Sequence, residues 1–291
     1  MRDYVIMTDS CCDLNEQEVQ ESGLYVIPLT FTMNGVTRRD TPDHAEMSSK
    51  EFYALIRAGV NCTTAAVNVG DFTDAMRPIL RAGKDILCVC FSSALSTTYQ
   101  SATIAADELS GEFPEARIIV IDSLSASRGQ GMLVWHAAKE KAKGKSIDEV
   151  AAWVRDMIPH QEHWFTVADL GHLRRGGRLN ATSAVIGTVL AIKPVMHCDA
   201  DGKLTPVSKA RGMKQALTEL VNKMDALGTR PLDGQTVFIC HADAPDSVEF
   251  VKGLLKERFG VTDVRADYIG PVIGSHTGAG TLGLFFFGSE R

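Results

Sequence analysis

A run of hydroxyl side chains, residues 92–99 (SSALSTTY), follows a strongly apolar segment and precedes a helical one. In an open parallel sheet, ligands bind beyond the carboxyl ends of the strands. A helix that begins there offers unpaired backbone N–H groups and a partial positive charge, and hydroxyls add donors without bulk. The run therefore suits an anion, although the same residues could also serve only to cap the helix.

Two glycine-dense segments could complete such a site. Residues 169–179 (DLGHLRRGGRL) set paired glycines between arginines, so the backbone can approach closely while guanidinium groups face a common anion. Residues 269–280 (IGPVIGSHTGAG) predict a rigid, backbone-dense turn that holds His276 at a surface or pocket. The hydroxyl-rich stretch around Thr63 and Thr64 is a weaker candidate, which is more readily interpreted as a plain loop.

Nucleotide binding is disfavoured by the glycine patterns. Residues 122–131 (DSLSASRGQG) follow another apolar run and leave a phosphate-gripping loop open, but they do not complete Gly-x-Gly-x-x-Gly. Residues 278–283 match that spacing, yet we expect no dinucleotide fold there, because the chain ends at Arg291 before the required helix, strand and acidic residue. No Walker motif occurs in the sequence.

Alternating strands and helices must position these segments, and they predict an α/β fold. Continuous β-branched runs, typical of a parallel sheet covered on both faces, predict buried strands at Tyr4–Thr8, Ile86–Phe91 and Arg117–Ile121. Asn-Gly at residues 34–35 predicts a small hairpin. Helix starts are predicted at the capping boxes Ser48–Glu51 and Ser146–Glu149, at Asn68 or Asp71, and at Thr97 or Thr98, the last helix running to about Leu109.

The pattern changes near Pro159–Gln161, which is the predicted domain boundary. The predicted elements beyond it are a strand near Trp164–Val167, a helix around Ala181–Ala191, a hairpin at Asp201-Gly202, a helix over Lys214–Leu227, a strand over Thr236–Ala242, a helix over Ser247–Phe259 and a strand over Thr281–Phe287. We therefore predict an N-terminal parallel-sheet domain over 1–160 and a smaller α/β domain with a mixed sheet over 161–291. The 269–280 segment is expected to return to the site of the first domain.

Composition limits the classes of function. The 291 residues carry a net charge of −6 and no dense Lys/Arg cluster, so nucleic acid is not an expected partner. No apolar run is long enough to span a bilayer and no signal peptide is recognisable, which predicts a cytoplasmic protein. The seven cysteines lack Cys-x-x-Cys spacing, and the histidines other than His276 have no spacing suited to a metal, so we expect no metal and no other cofactor.

The order of several motifs resembles that of the DegV family over essentially the whole chain. The motifs that carry the resemblance are Asp9–Leu14 (DSCCDL), Thr63-Thr64, Ser92–Ala102 (SSALSTTYQSA), Asp122-Ser123, Arg175–Arg178 (RGGR), Ile192–Pro194 (IKP) and Ile269–Gly278 (IGPVIGSHTG). This sequence departs from the family pattern in two places. Ala65–Asn68 replaces a Ser/Gln/Pro continuation, and Thr97 stands where glycine is usual.

The resemblance implies a two-domain DegV-like fold that binds a long-chain fatty acid in an apolar tunnel. It implies that Thr64, Ser93 and His276 bind the carboxylate. It places four further residues near the head group, namely Thr63, Ser92, Gly274 and Ser275. By the same resemblance, a separate ATP-dependent fatty acid kinase subunit would phosphorylate the bound carboxylate to an acyl phosphate, and Arg175 would meet that partner or the phosphoryl group.

The expected protein is thus a non-catalytic lipid carrier of bacterial phospholipid metabolism, with no transmembrane segment and with transient contact to a membrane surface left open. The alternative is a serine hydrolase or esterase with Ser93 as nucleophile and His276 as base. That chemistry also needs an acid to orient the base, and Asp9 or Asp122 could serve. No Gly-x-Ser-x-Gly elbow surrounds Ser93.

Overall fold

A computed structural model describes residues 2–179, 191–289 and 291. The predicted helix around Ala181–Ala191 lies outside the described residues, apart from its last position. In the described part of the chain, no helix has the length and apolar character needed to cross a membrane.

A four-stranded parallel sheet forms the first layer, in the order β2-β1-β6-β7. Its strands are β1 (Tyr4–Asp9), β2 (Tyr25–Ile27), β6 (Asp85–Cys90) and β7 (Ile118–Asp122). Every residue of β6 is buried, as its continuous apolar sequence predicts for a central parallel strand. Helices α3 (Val69–Arg81) and α4 (Thr98–Glu112) pack together against this sheet, as do α5 (Arg128–Ala142) and α6 (Ile147–Met157).

A small antiparallel sheet, β4-β3-β5, is attached to the first layer. Its strands are β3 (Thr30–Met33), β4 (Val36–Arg39) and β5 (Cys62–Ala65), and helices α1 (Glu16–Ser22) and α2 (Ser49–Arg57) flank it in the chain. Asn34 and Gly35 both have positive φ angles at the turn, which confirms the predicted hairpin.

A six-stranded mixed sheet forms the second layer, in the order β10-β9-β8-β13-β11-β12, and only β11 and β12 pair in parallel. Its strands are β8 (Gln161–Thr166), β9 (Ile192–Cys198), β10 (Leu204–Arg211), β11 (Val237–His241), β12 (Val264–Tyr268) and β13 (Leu282–Phe287). The associated helices are α7 (Gly171–Arg175), α8 (Met213–Leu227), α9 (Pro245–Phe259) and α10 (Pro271–Thr277). The predicted fold class, a parallel-sheet unit followed by a mixed-sheet unit, is confirmed.

The two faces of the six-stranded sheet belong to different cores. Trp164 joins the core beneath α8 and α9, whereas its neighbour Phe165 joins the core shared with the first layer, as the alternation of side chains along a strand requires. One continuous core therefore links the two halves of the chain. The division at residue 160 remains a proposal.

The helix starts at these positions follow the sequence, whereas the predicted side-chain caps form only in part. The boxes at Asn68/Asp71 and Ser146/Glu149 form with both reciprocal hydrogen bonds. The predicted start of α4 at Thr97 or Thr98 is confirmed, because the helix begins at Thr98, but the predicted side-chain cap does not form. Thr97 makes no side-chain cap bond, and the Thr98 N–H donates to the hydroxyl of the preceding Ser96 at 3.2 Å.

Two segments that the sequence predicted to be loops are helical. Gly129 and Gly131 lie inside α5 rather than in a phosphate-gripping loop, and side chains there would collide with Ser125 Oγ and the Cys12 carbonyl at 2.5 Å each. The segment predicted as a glycine-rich turn contains α10, which begins at Pro271 because proline is compatible with the first helical turn.

Candidate functional site

A cavity of about 450 Å³ lies between the carboxyl ends of β6 and β7, the inner face of the six-stranded sheet and helix α10. Its volume falls within the roughly 300–1,000 Å³ of small-molecule sites. Apolar side chains contribute most of the lining: Leu29, Ala65, Ala66, Phe91, Ala94, Leu95, Ala126, Phe165, Leu173, Leu204, Cys240, Ile269, Val272 and Ile273. The polar lining residues are Thr64, Ser93, Ser96, Thr97, Ser127, His163, Arg178, His276, Thr277 and Thr281.

Thr64 and His276 meet at the cavity although they are 212 positions apart in the chain. The Thr64 hydroxyl oxygen lies 2.9 Å from His276 Nε2. Alternation along β5 directs Thr64 to the cavity and leaves Thr63 exposed beside Thr32 of β3. The structure therefore brings Thr64 to the site, whereas Thr63 is not among the lining residues.

Two buried carboxylates hold the start of the helix that carries His276. The Gly270 N–H donates to Asp13 at 2.9 Å, and the Val272 N–H donates to Asp40 at 3.2 Å. These acceptors satisfy amides that a helix start leaves without internal partners. Because α10 is only two turns long, its attachment to Asp13 and Asp40 positions the imidazole.

The His276 imidazole is neutral at physiological pH. Burial, together with the positive charge of Arg178, lowers its pKa to about 4. Gly176 packs directly against the ring, since a Cβ at that position would lie 2.1 Å from His276 Nδ1. In the part of the chain that the structure describes, no carboxylate hydrogen-bonds this imidazole, as the orienting acid of a Ser–His hydrolase would.

Ser93 lines the open end of the cavity, and Ser92 does not. Ser93 is exposed, and its backbone N–H donates to both carboxylate oxygens of Asp122 at 3.2 and 3.3 Å. Ser92 is fully buried, and its hydroxyl donates to the Gly202 carbonyl at 2.9 Å. The two serines therefore have different roles. The Ser92 hydroxyl fixes the hairpin between β9 and β10, while the Ser93 hydroxyl remains at the cavity.

Gly274 and Ser275 lie on α10 but outside the cavity lining. A Cβ on Gly274 would lie 2.5 Å from the Tyr53 hydroxyl oxygen, so this glycine permits close packing of α10 on α2. The Ser275 hydroxyl donates to the Val272 carbonyl at 2.8 Å. Of the seven predicted head-group residues, Thr64, Ser93 and His276 therefore line the cavity, while Thr63, Ser92, Gly274 and Ser275 support it from behind or face elsewhere.

The arginines of the Arg-Gly-Gly-Arg segment occupy different places. Arg175 is exposed and does not line the cavity, consistent with a surface role. Arg178 lines the cavity and is held in position, with Nε donating to the Leu95 carbonyl at 3.1 Å. The sequence interpretation grouped the arginines and did not single out Arg178. The motif was the available signal, but it could not tell which arginine turns inward.

A network of buried polar groups lies beneath the cavity. Asp9 accepts from the Phe91 N–H at 2.7 Å and from Gln130 at 3.1 Å, so it fixes the strand end from which the Ser92–Thr97 loop departs. Asp13 accepts from the Ser127 hydroxyl as well as from Gly270. Burial raises the pKa of Asp9 to about 6 and that of Asp13 to about 7. The Asp9–Leu14 motif therefore positions the cavity walls.

Sequence reasoning missed Ser127 and His163 as cavity residues. Ser127 has φ +54°, an unusual angle for serine, at the start of α5. His163 lies on β8 and is 4% exposed. Its neighbours in β8 are both polar and aromatic (QEHWFT), and that pattern carried no signal for a cavity residue. Among the described residues, no group of His, Cys, Asp or Glu is arranged to hold a metal ion.

Comparison with known proteins gives a consistent result. A family model described as an uncharacterised protein of the DegV family matches residues 3–289. A DegV domain-containing protein of Clostridium perfringens is 40% identical over 291 residues, which is 100% of this chain and 99% of that protein. The structure of a Thermus thermophilus DegV family protein, described by its fatty acid binding, is 30% identical with a TM-score of 0.87, covering 99% of this chain and all of that one. A Thermotoga maritima DegV lipid binding protein is 27% identical with a TM-score of 0.86, covering 99% of each chain.

Proposed function

The chain belongs to the DegV family, and on that premise we propose that it binds a long-chain fatty acid in the cavity between its two larger sheets. The observation that carries the proposal is an apolar cavity with the Thr64–His276 pair at its open end. Fatty acid and lipid binding described for the Thermus and Thermotoga relatives supports the same ligand class.

The lining divides into an apolar wall and a polar mouth, which consists of Thr64, Ser93, Arg178 and His276. This division matches the two parts of a fatty acid. Each methylene group buried against the wall contributes about 0.8 kcal/mol, so the acyl chain supplies most of the affinity. Hydrogen bonds to a charged carboxylate contribute about 1.5–3 kcal/mol each. A few hydroxyls at the mouth are then enough to orient the ligand.

Neutral donors are well suited to hold a carboxylate that must later react. If Nε2 of His276 carries the ring proton, it donates to the Thr64 oxygen and leaves the Thr64 hydroxyl proton free for the ligand. Ser93 supplies a second hydroxyl, and the fixed guanidinium of Arg178 supplies positive charge at the same end. Such a site orients the carboxylate without enclosing it in ion pairs.

We further propose that this protein presents the carboxylate to a separate ATP-dependent kinase subunit in the cytoplasm. A carboxylate oxygen would form a bond to the γ-phosphorus of ATP, and ADP would leave, giving an acyl phosphate on this chain. The exposed Arg175 is the residue we assign to contact with the kinase or the phosphoryl group. The esterase alternative has less support, because His276 pairs with Thr64 rather than with Ser93 and a carboxylate.

Mass spectrometry of lipid extracted from the purified protein tests the ligand. We expect a long-chain fatty acid at near-stoichiometric amount, and Thr64→Val should lower affinity for it about tenfold through loss of a hydrogen bond to the charged group. Thr63→Val is the matched control, because Thr63 is on the same strand but outside the cavity lining. Absence of an acyl chain, together with ester hydrolysis that is lost in Ser93→Ala, would favour the esterase instead.

The kinase role has its own test. Arg175→Ala should bind fatty acid as the wild type does but should slow acyl phosphate formation with a kinase subunit about tenfold or more, since hydrogen bonds to charged groups are strong. Arg81→Ala, which removes an exposed arginine on α3, is the control for loss of surface charge. Equal turnover by the Arg175 variant would remove this residue from the proposed contact.

A further inference from the structure

The cavity extends along the inner face of β8. Phe165 and His163 both line it, two positions apart on the same face of the strand. In the pairing of β13 with β8, Leu282 lies opposite Thr166 and Phe285 lies opposite His163. Thr281, which also lines the cavity, immediately precedes Leu282, so His163 lies about 13 Å further along the sheet than Thr281.

The His163 imidazole is only partly hydrogen-bonded. His163 Nδ1 lies 3.4 Å from the Ser125 hydroxyl oxygen, and Nε2 has no hydrogen-bond partner among residues 2–179, 191–289 and 291. The ring is 4% exposed and is fixed against Phe285 and Phe165, with centroids 4.6 and 5.5 Å away. A rigid, nearly buried polar ring therefore faces the cavity with one nitrogen free.

A second polar side chain nearby is also unsatisfied. Gln161 lies two residues before His163 on the same strand and is fully buried, and both its amide oxygen and its amide nitrogen lack partners in the described structure. A Cβ placed on Gly129 would be 2.5 Å from Ser125 Oγ and 2.8 Å from Gln161 Nε2, so Gln161 approaches the same serine that contacts His163. These three residues, Ser125, Gln161 and His163, form what we call the polar end.

A plain hydrocarbon tail does not suit the polar end. A terminal methyl group placed against His163 would displace water without offering a hydrogen bond, which leaves buried polar atoms unpaired at a cost. A hydroxyl on the chain both donates and accepts, so it satisfies a neutral imidazole in either tautomer. Sites built around such a hydrogen bond discriminate strongly against an analogue that lacks it.

We propose that the polar end selects a fatty acid that carries a hydroxyl group toward its methyl end, with His163 as the hydrogen-bond partner of that hydroxyl. The inference rests on fatty acid binding in this cavity and specifies the ligand further. Thr64, Ser93 and His276 hold one end of such a ligand, and His163 holds an oxygen deeper in the wall. The apolar residues between them bind the intervening methylene groups.

Competition binding with octadecanoic acid and a series of its isomers, each hydroxylated at a different carbon, tests the proposal. For the wild type, one isomer substituted toward the methyl end should bind about tenfold more tightly than the unsubstituted acid. His163→Phe, which suits the aromatic surroundings, should reverse that order. His136→Phe is the matched control, because His136 is a half-buried imidazole packed among aromatic rings outside the cavity lining, and it should preserve the preference.

The outcomes separate this inference from the function on which it rests. If the unsubstituted acid binds the wild type as tightly as every hydroxylated isomer, the polar end has no hydroxyl specificity and the inference is wrong, while fatty acid binding stands. If no acid binds, both proposals fail. If His163→Phe does not fold, the wild-type isomer series still decides, and His163→Gln, which retains a donor and an acceptor, should keep part of the preference.

Discussion

Two polar regions of this protein differ in what their side chains do. The first, the buried network, consists of Asp9, Asp13, Glu18, Ser127, Arg128 and Gln130. The second, the mouth, consists of Thr64, Ser93, Arg178 and His276. The network residues are almost fully buried, and most of their polar atoms form hydrogen bonds with other side chains or with backbone groups. The mouth residues are partly or largely exposed and retain capacity for a ligand.

The difference shows how a binding site can be rigid without being closed. The network fixes the strand end at Phe91 through Asp9 and the start of α10 through Asp13. Ser93 and His276 stand on those two segments, so their geometry is determined by Asp9 and Asp13, neither of which lines the cavity. Substitutions in the network should therefore change stability first, and substitutions in the mouth should change affinity first.

The largest expected effect comes from removing the cation of the network. Arg128 is fully buried, with its guanidinium 2.5 Å from Glu18 and 3.0 Å from the Asp13 carbonyl. Arg128→Met leaves the Glu18 charge buried beside an apolar side chain, which should lower the free energy of unfolding by about 3–5 kcal/mol. Urea denaturation measures this loss, and the remaining folded protein should bind fatty acid with nearly wild-type affinity.

A surface pair provides the control for this substitution. Arg77 on α3 pairs with Glu112 of α4 at 3.0 Å, and both side chains are more than 30% exposed. Arg77→Met should cost less than about 1 kcal/mol. A similar small loss in Arg128→Met would show that Glu18 finds another partner, for which Arg265 at 3.5 Å is the nearest candidate, and it would remove the energetic distinction between network and surface.

The sequence predicted the local parts of this architecture well. Asn68/Asp71 and Ser146/Glu149 are capping signals contained within four residues, and each forms as predicted. The hairpin at Asn34-Gly35 has the same local origin. The start of α4 was predicted correctly but its capping side chain was not, because several hydroxyls compete for one amide, and only the three-dimensional position of Ser96 decides among them.

The second expected effect is an opposite pH dependence of the two regions. Burial raises the pKa of Asp13 from 3.8 to about 7, so the folded state keeps a proton that the unfolded state loses, and the free energy of unfolding falls as pH rises from 4 to 7. His276, with a pKa lowered from 6.5 to about 4, has the opposite effect, because stability is lost as pH falls through that range.

Asp13→Asn isolates the first of these effects. Relative to wild type, the variant should gain up to about 4 kcal/mol of unfolding free energy between pH 4 and pH 7, since three pKa units correspond to that amount. Denaturant titrations at a series of pH values measure the difference. His276→Gln should show the opposite slope. Parallel curves for Asp13→Asn and wild type would mean that Asp13 is ionised in the folded protein.

The interior of the site could not be predicted because it depends on contacts between distant segments. His163 becomes a cavity residue only when β13 pairs with β8, and Arg178 does so only when α7 packs on α10. The resemblance of motifs separated Thr64 and Ser93, as carboxylate binders, from Thr63 and Ser92 in the head-group vicinity, but it gave no physical reason for that separation. Strand alternation and the burial of Ser92 make that separation, and both follow from tertiary structure.

The smallest of the three effects tests whether the mouth can be disturbed without affecting the network. A Cβ on Gly176 would lie 2.1 Å from His276 Nδ1, so Gly176→Ala must displace the imidazole from its 2.9 Å contact with Thr64. Since the φ of Gly176 is −75°, alanine is acceptable to the backbone itself. Fatty acid affinity should fall about tenfold through the lost hydrogen bond, and the free energy of unfolding should change by less than about 1 kcal/mol.

Gly253→Ala in α9, where a Cβ meets nothing within 4 Å, should leave affinity unchanged and stabilise the helix slightly. A large stability loss in Gly176→Ala with unchanged affinity would show that His276 stabilises the fold and does not bind the ligand. That result would contradict the distinction between mouth and network.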